Sequence, residues 1–253
     1  MVDSAALLVD EVLPHVPIRQ WVLSVPFPIR FLFASQPSVM SAVLRIVVRA
    51  ITGHLLSKAG YNRAQAQTGA VTLIQRFGSA LNLNIHFHML FLDGDYLCGP
   101  EFRFVPVAAP TRADLARLIE QISQRVARHL ERQGWLDCDE DNSYLAWDAE
   151  QGSTLDDVIG HAVTYRIAVG PHCGQKAFTL QTLPASPPGE EEDRNVARNG
   201  GFSLHAGIAA RADQRAKLER LCRYVARPAV ATRRLSLTRQ GDIRYSLKTP
   251  YCD

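Results

Sequence analysis

The sequence predicts an α+β fold, and three segments carry that prediction. A strongly apolar strand is expected at 83–92. Two long helices are expected at 37–58 and 111–133, the second with an amphipathic pattern. A mixture of long helices and strands of this kind is typical of a sheet that is flanked by helices.

Each of these elements has recognisable end signals. The helix at 37–58 has Pro37 in its first turn and Gly60 just beyond its end. The second helix opens with Thr111 as its N-cap residue and Asp114 three positions later, which is close to a capping box. The strand closes on Asp93-Gly94, a dipeptide that favours a hairpin turn and a return strand in the same sheet.

Weaker patterns predict the remaining elements, which add a C-terminal helix and hairpin to the sheet. In chain order they are a helix at 4–13, strands at 19–25, 67–76, 96–97 and 101–105, an acidic loop at 137–142, a helix at 153–167, a strand at 202–208, a helix at 213–226 capped by Asp213, and a hairpin at 234–247 around Gln240-Gly241.

The expected domain organisation has one catalytic unit interrupted by a linker. Residues 1–183 form the sheet and helices that carry a histidine pair. Residues 184–201 form a flexible acidic linker, since most of this segment lacks apolar side chains to bury. Residues 202–253 supply a strand, a helix and a hairpin that complete the same domain.

The composition is that of a globular protein in a reducing compartment. The five cysteines are scattered and form no Cys-x-x-Cys pair, so we expect neither disulfides nor a cysteine zinc site. No targeting signal is visible, and the longest apolar run is interrupted by Arg45 and Arg49, so no membrane span is expected. The sequence contains no phosphate-binding loop of the G-x-x-x-x-G-K type, so we expect no nucleotide cofactor.

Positive charge is concentrated near the C-terminal end. The net charge is only +3, but residues 211–248 contain eleven Lys or Arg against three acids, a local charge of +8. The rest of the chain therefore carries −5. Segregation of this kind favours binding to a polyanion such as nucleic acid, although a solvated basic surface is the simpler alternative.

The most informative motif is His86-Phe87-His88, within the predicted strand 83–92. Successive side chains of a strand point to opposite faces, so the two imidazoles project from the same face. Two histidines at this spacing can bind one divalent metal ion. The alternatives are a pair of strand histidines satisfied by polar neighbours, or the ligands of a zinc hydrolase.

Tyr224 is the candidate partner of this pair. In the helix at 213–226, residues Leu218, Leu221, Cys222 and Val225 form a buried stripe, and Tyr224 lies off it. Its polar flank is basic: Lys217, Arg220 and Arg227. Cations around a tyrosine can hold a phosphate while the phenolic oxygen attacks it. With a metal at the histidine pair, this predicts nicking and rejoining of single-stranded DNA through a covalent 5′-phosphotyrosine. The alternative is a tyrosine that merely packs its ring on a neighbour.

Two longer segments resemble a known family. Residues 71–84, which lead into His86-Phe87-His88, are similar to the catalytic domain of rolling-circle insertion-sequence transposases of the HUH (His-hydrophobic-His) endonuclease superfamily. Residues 202–207 and 219–228 resemble the tyrosine region of the same family. The resemblance extends over nearly the whole chain.

The resemblance implies a fold, a metal and a set of roles. The fold would be a central antiparallel sheet flanked by helices, in a protein of the bacterial cytoplasm that acts on single-stranded ends of a mobile element. His86 and His88 would bind Mg²⁺ or Mn²⁺, and Tyr224 would be the nucleophile. Gln75 and His205 are candidates for a third ligand. The expected DNA-binding residues are Arg76, Lys217, Arg220, Arg223 and Arg227.

The sequence departs from the family pattern in three ways. Positions 220 and 228 are Arg and Pro, so no second tyrosine lies four residues from Tyr224, which resembles the single-tyrosine, common-region branch. No cysteine-rich zinc-binding region is found, and the family chain normally continues further, so a central piece of a transposase is expected. An inactive DNA-binding remnant is therefore an alternative, and Tyr245 is the next candidate nucleophile.

Overall fold

The computed structural model describes residues 2–78, 83–99, 102–138, 143–145, 195–228 and 230–246. The helices are α1 (Val2–Leu7, continued by a π-helical segment Leu8–Val12), α2 (Phe27–Ser35), α3 (Pro37–Ala59), α4 (Arg112–Arg132) and α5 (Arg215–Val225), with a 3-10 turn at Thr232–Arg234. The strands are β1 (Ile18–Ser24), β2 (Ala66–Gln67), β3 (Ala70–Phe77), β4 (Leu83–Leu92), β5 (Gly94–Leu97), β6 (Phe104–Pro106), β7 (Leu136–Cys138), β8 (Ser143–Leu145), β9 (Val196–Asn199), β10 (Phe202–Ala210), β11 (Leu235–Leu237) and β12 (Ile243–Tyr245).

The predicted fold class is confirmed, because an antiparallel sheet lies between helices. Within the described residues the central sheet has the strand order β3-β4-β1-β10-β9, and every neighbouring pair is antiparallel. Strand β4 pairs on both sides, so that His88 lies opposite Val22 of β1 and Leu73 of β3. β11 and β12 form the predicted C-terminal hairpin.

Helices cover both faces of this sheet. On one face Ile85, Phe87 and Met89 are fully buried against a core that includes α3 and α4. On the other face Leu90 and Leu92 pack in a second core with α1 and α5. Strand β4 is therefore apolar on both faces, apart from Asn84 and the two histidines. Helix α3 is long and apolar enough to cross a bilayer, but most of its buried side chains belong to the first core, which is the position of a core helix.

The hairpin predicted at Asp93-Gly94 is wrong. Strand β5 does not return along β4; it pairs with β2 and β6 in a separate three-stranded sheet. Neither β5 nor β6, which overlap the strands predicted at 96–97 and 101–105, therefore extends the central sheet. The dipeptide instead marks a crossing between sheets. A Cβ at Gly94 would lie 2.3 Å from the Val105 carbonyl oxygen, and the Asp93 carboxylate is held by Arg19 at 2.7 Å in a buried ion pair.

Three further boundaries differ from the prediction. Helix α2 is absent from the sequence prediction; Pro28, which follows the strand predicted at 19–25, occupies the first turn of this helix. Asp213 does not cap α5, since its carboxylate pairs with Arg211 at 3.1 Å and Gln214 is the N-cap residue. The linker predicted at 184–201 ends in the edge strand β9 and a turn at Gly200-Gly201.

Some predictions fall outside the described part of the chain. The helix predicted at 153–167 and the linker as far as 194 lie there, so both stay predictions, as does the division into domains. The acidic loop predicted at 137–142 is wrong at its start, because residues 137 and 138 belong to strand β7, which pairs with β8; residues 139–142 lie outside the described part of the chain.

Candidate functional site: the histidine pair and Tyr224

His86 and His88 lie side by side on the α5 face of the sheet, as their spacing along β4 predicts. Their ring centroids are 4.8 Å apart, with the planes inclined at 66°. The Nδ1–H of His86 donates a hydrogen bond to the Asn84 carbonyl oxygen at 2.6 Å. This bond places the proton on Nδ1, so the Nε2 of His86 carries a lone pair that is available to a ligand.

His88 is buried and is held by two glutamine side chains. The Gln20 Nε2–H donates to His88 Nδ1 at 2.8 Å, and His88 Nε2–H donates to Gln75 Oε1 at 3.0 Å. In this arrangement the proton of His88 is on Nε2. Gln20 is itself only 1% exposed, and its Oε1 atom has no hydrogen-bond partner within the described residues.

Both imidazoles are neutral at physiological pH. Burial lowers the pKa of His88 to about 4, and electrostatic repulsion between His88 and His86 when both are protonated acts in the same direction. Burial also lowers the pKa of His86; the bond to Asn84 opposes this effect and the nearby positive charge of Arg30 adds to it. Since only the neutral ring can bind a metal ion, the environment keeps both histidines in the form that a metal site requires.

Tyr224 lies against the histidine pair. Its ring meets the ring of His88 edge to face, with centroids 6.0 Å apart and planes at 90°. The guanidinium of Arg227 lies 5.4 Å from the centroid of the tyrosine ring, within the range of a cation–π contact. The side chain is 52% exposed, so solvent reaches it although α5 is anchored by a buried stripe. Tyr224 is therefore a surface tyrosine positioned over a buried histidine.

A groove of about 470 Å³ adjoins these residues, between the edge strand β3 and the end of α5. Gln75, Arg76 and Phe77 line one wall, and Arg227 and Pro228 line the other. Phe77 is 36% exposed at this edge, which leaves part of an aromatic face open to solvent. The groove thus combines two cations with an exposed ring, next to the tyrosine and the histidines.

The other predicted site residues lie on α5 and β10. Lys217 and Arg220 are exposed on α5 at positions i and i+3 of a stripe that continues to Tyr224 at i+7. Arg223 is engaged by Glu219 in an ion pair on the helix surface. His205 is half-buried on β10 and is separated from β4 by β1.

The donors present fit a divalent ion only if Gln75 takes part. Within the described residues no group of three or more His, Cys, Asp or Glu could hold a metal ion, so His205 does not join the pair. Gln75 would supply the missing oxygen donor through Oε1. Metal binding would require the proton between His88 Nε2 and Gln75 Oε1 to move to His88 Nδ1. Gln20 Oε1, which has no hydrogen-bond partner within the described residues, would accept a hydrogen bond from Nδ1–H once the amide is reversed.

Two residues of this site were missed by the sequence reasoning. Gln20 was included only as part of a strand, and its approach to His88 depends on the pairing of β1 with β4. Arg30 of the unpredicted helix α2 is 8% exposed and donates from Nε to the Val25 carbonyl oxygen at 3.0 Å. Its Nη1 atom has no hydrogen-bond partner in the described part of the chain. The only sequence signal for either residue was a polar side chain inside an apolar run.

A model of a known protein family matches most of this chain. The family model Y2_Tnp, described as "Putative transposase", matches residues 69–253, which is 185 of the 253 residues. The matched region begins just before β3 and includes Gln75, the histidine pair and Tyr224. No curated protein and no solved structure matches the chain.

Proposed function

Because this chain belongs to the Y2_Tnp transposase family, we propose that it nicks and rejoins single-stranded DNA through a covalent bond to Tyr224. The observation that carries the proposal is the edge-to-face contact of Tyr224 with His88, next to a groove with Arg76 and Arg227. Rolling-circle movement of a mobile element in the bacterial cytoplasm is the setting that we propose for this reaction.

The chemistry that we propose is an exchange of phosphate esters. The phenolic oxygen of Tyr224 forms a bond to the phosphorus atom and loses its proton, and the bond from phosphorus to the 3′ oxygen breaks. The released 3′ oxygen takes up a proton, and the 5′ phosphate stays on the tyrosine. The reverse attack by a 3′ hydroxyl of another strand joins that strand and restores the tyrosine, so no nucleotide cofactor is needed.

The protein groups bind the phosphate and the strand. The cations that line the groove, Arg76 and Arg227, would offset the charge of the phosphate backbone, and Phe77 offers a ring on which a base can stack. A divalent ion held by His86 Nε2, His88 Nε2 and Gln75 Oε1 would neutralise the charge that develops on the phosphate. Two nitrogens and one amide oxygen suit Mn²⁺ better than Mg²⁺, which prefers oxygen ligands.

The test is adduct formation with a labelled single-stranded oligonucleotide that carries the element end, in the presence of Mn²⁺. The wild-type protein should form a product that resists denaturation and carries the 5′ phosphate side of the cut strand. Tyr224→Phe should abolish this adduct while DNA affinity changes less than about twofold, because the hydroxyl adds little to backbone binding. The matched control is Tyr245→Phe, which should form the adduct normally.

The alternatives predict different outcomes. If the wild-type protein binds DNA without forming an adduct, an inactive DNA-binding remnant is the better description. An adduct in Tyr224→Phe that disappears in Tyr245→Phe would identify Tyr245 as the nucleophile. The zinc-hydrolase alternative is weakened, because a catalytic zinc site needs three protein ligands and the described residues offer no such set of His, Cys, Asp or Glu.

A further inference from the structure

A second basic groove lies between helices α3 and α4. It has a volume of about 480 Å³ and is lined by five cationic side chains, together with the carboxylate of Asp114: Arg49, Lys58, Arg63, Arg117 and Arg125. An adjoining groove of about 470 Å³ shares Arg49 and Arg125 with the first. It adds two cations, Arg128 and Arg132, and one carboxylate, that of Glu131. Seven cations and two carboxylates give the combined lining a net charge of +5. We refer to the two together as the α3–α4 groove.

The positive charge follows from the helical repeat. Residues 117, 121, 125, 128 and 132 of α4 are spaced by three or four positions, so they lie on one side of the helix, beside the stripe that is buried in the core. Arg49, Gly53 and Ser57 do the same on α3. Both helices therefore turn a polar row toward their common seam.

The two carboxylates offset only part of this positive charge. The Asp114 carboxylate is already shared by Lys58 at 2.8 Å and by Arg117 at 3.1 Å, and it also caps α4. Arg49 and Arg125, which belong to both grooves, are exposed. At a rise of about 1.5 Å per residue, the row from 117 to 132 extends for about 22 Å. This length corresponds to about six phosphates of one B-form strand at about 3.4 Å each.

The α3–α4 groove lies on the opposite side of the molecule from Tyr224. Helices α3 and α4 pack on the sheet face that carries Ile85 and Phe87, whereas His86, His88 and Tyr224 are on the other face. A strand bound at the tyrosine cannot pass through the sheet to reach this groove. Whatever polyanion binds there must be a different segment from the one that is cut.

We propose that the α3–α4 groove binds the phosphate backbone of a second DNA segment, separate from the strand at Tyr224. The inference rests on the proposed function for its choice of DNA as the polyanion. It adds that the protein holds DNA on two faces, so that a segment flanking the cut can be retained while the cut strand is exchanged at the tyrosine.

The test compares Arg49→Ala/Arg125→Ala with the wild type on two substrates. One is a short single strand that covers only the cleavage site, and the other carries long flanks, either as a single strand or as a hairpin duplex. On the long substrates the salt dependence of binding should fall by about 0.7 per lost contact for a single strand, or about 0.9 for a duplex, because each contact releases counterions. The long substrate on which the slope falls identifies the form of DNA that binds. Binding and adduct formation on the short strand should be unchanged.

The control is Arg103→Ala, compared with the single variant Arg125→Ala. Both remove one exposed arginine, but Arg103 does not line the groove. The proposal is overturned if the double variant keeps the wild-type salt slope on every long substrate. It is equally overturned if the loss is the same on the short strand, since the arginines would then act through the site at Tyr224. Failure of the proposed function has a different signature: no adduct forms, while the groove variant still loses binding to long DNA.

Discussion

Replacing Gln20 by leucine should weaken metal binding without unfolding the protein. Gln20 is 1% exposed on β1, and its amide is the 2.8 Å partner of His88 Nδ1. Leucine has a similar volume but offers no polar atom to the ring. The Nδ1 atom of His88 would then be buried without a hydrogen bond, which costs about 1–3 kcal/mol in each state, metal-free or metal-bound, in which Gln20 makes that bond. Loss of a group that orients a ligating histidine typically weakens metal affinity by about 10–100-fold.

The bond that leucine removes is expected to differ between the metal-free and metal-bound states of His88. Without metal, Gln20 donates to Nδ1 and the ring proton is on Nε2, where it bonds to Gln75. Metal binding at Nε2 would require this proton to move to Nδ1, and the Gln20 amide would then have to present its oxygen. Gln20 Oε1 has no hydrogen-bond partner within the described residues, so reversal of the amide breaks no hydrogen bond to this oxygen. The ¹⁵N shifts of the His88 ring should report this exchange when Mg²⁺, which is diamagnetic, is added to the wild-type protein.

Affinity is measured by titration with Mn²⁺, followed by the loss of the electron paramagnetic resonance signal of the free ion. Gln124→Leu is the matched control. Gln124 is an exposed glutamine on α4, and its side-chain amide donates a hydrogen bond to the Glu120 carboxylate, far from the histidine pair in the sequence. An unchanged Mn²⁺ affinity in Gln20→Leu, with native circular dichroism, would refute the assignment of His88 as a ligand that Gln20 orients.

Two further predictions concern stability. Asp114→Asn should lower the free energy of unfolding by about 1–2 kcal/mol at pH 7, because it weakens the cap of α4 and the ion pair with Lys58. Burial raises the pKa of Asp114, but hydrogen bonds from Lys58 and Thr111 outweigh this effect and hold that pKa well below its usual range. The wild-type protein is therefore more stable than Asp114→Asn above pH 3.8, and the difference in the free energy of unfolding becomes smaller as the pH falls below that value. Urea unfolding at pH 7 and at pH 3 measures this difference, and equal differences at the two pH values would contradict the argument. Gly53→Ala should stabilise the protein by about 0.5–1 kcal/mol, since an added Cβ meets no atom within 4 Å inside α3, and a lower midpoint of thermal unfolding would contradict this.

Local signals accounted for most of the secondary structure and for the core of the candidate site. The capping box at Thr111, the proline that opens α3 and the period of two along β4 each depend on residues a few positions apart. The position of Tyr224 off a buried helical stripe is a signal of the same kind. Such patterns are visible in a sequence because the geometry of a helix or strand fixes the relation between neighbouring side chains.

The features that were missed depend on contacts between distant parts of the chain. Asp93-Gly94 has the composition of a hairpin turn, but Asp93 pairs with Arg19, and only the assembled sheets show where the chain goes next. Gln20 reaches His88 only because β1 pairs with β4. The charge count along the sequence did not reveal the α3–α4 groove. Its cationic residues are spread over 49–132, and acidic residues elsewhere give the chain outside 211–248 a net negative charge.

Strand β4 explains how the candidate nucleophile comes to lie beside the histidines. Its α5 face presents His86 and His88 and then, two residues further on, Leu90 and Leu92. The leucines belong to the same core as the buried stripe of α5, so one strand both presents the imidazoles and anchors the helix that carries Tyr224. The path from the histidines to the tyrosine thus runs through a closely packed core rather than through a loop. Close packing resists small displacements, and a phosphoryl transfer in which attacking oxygen and phosphate must be aligned depends on that resistance.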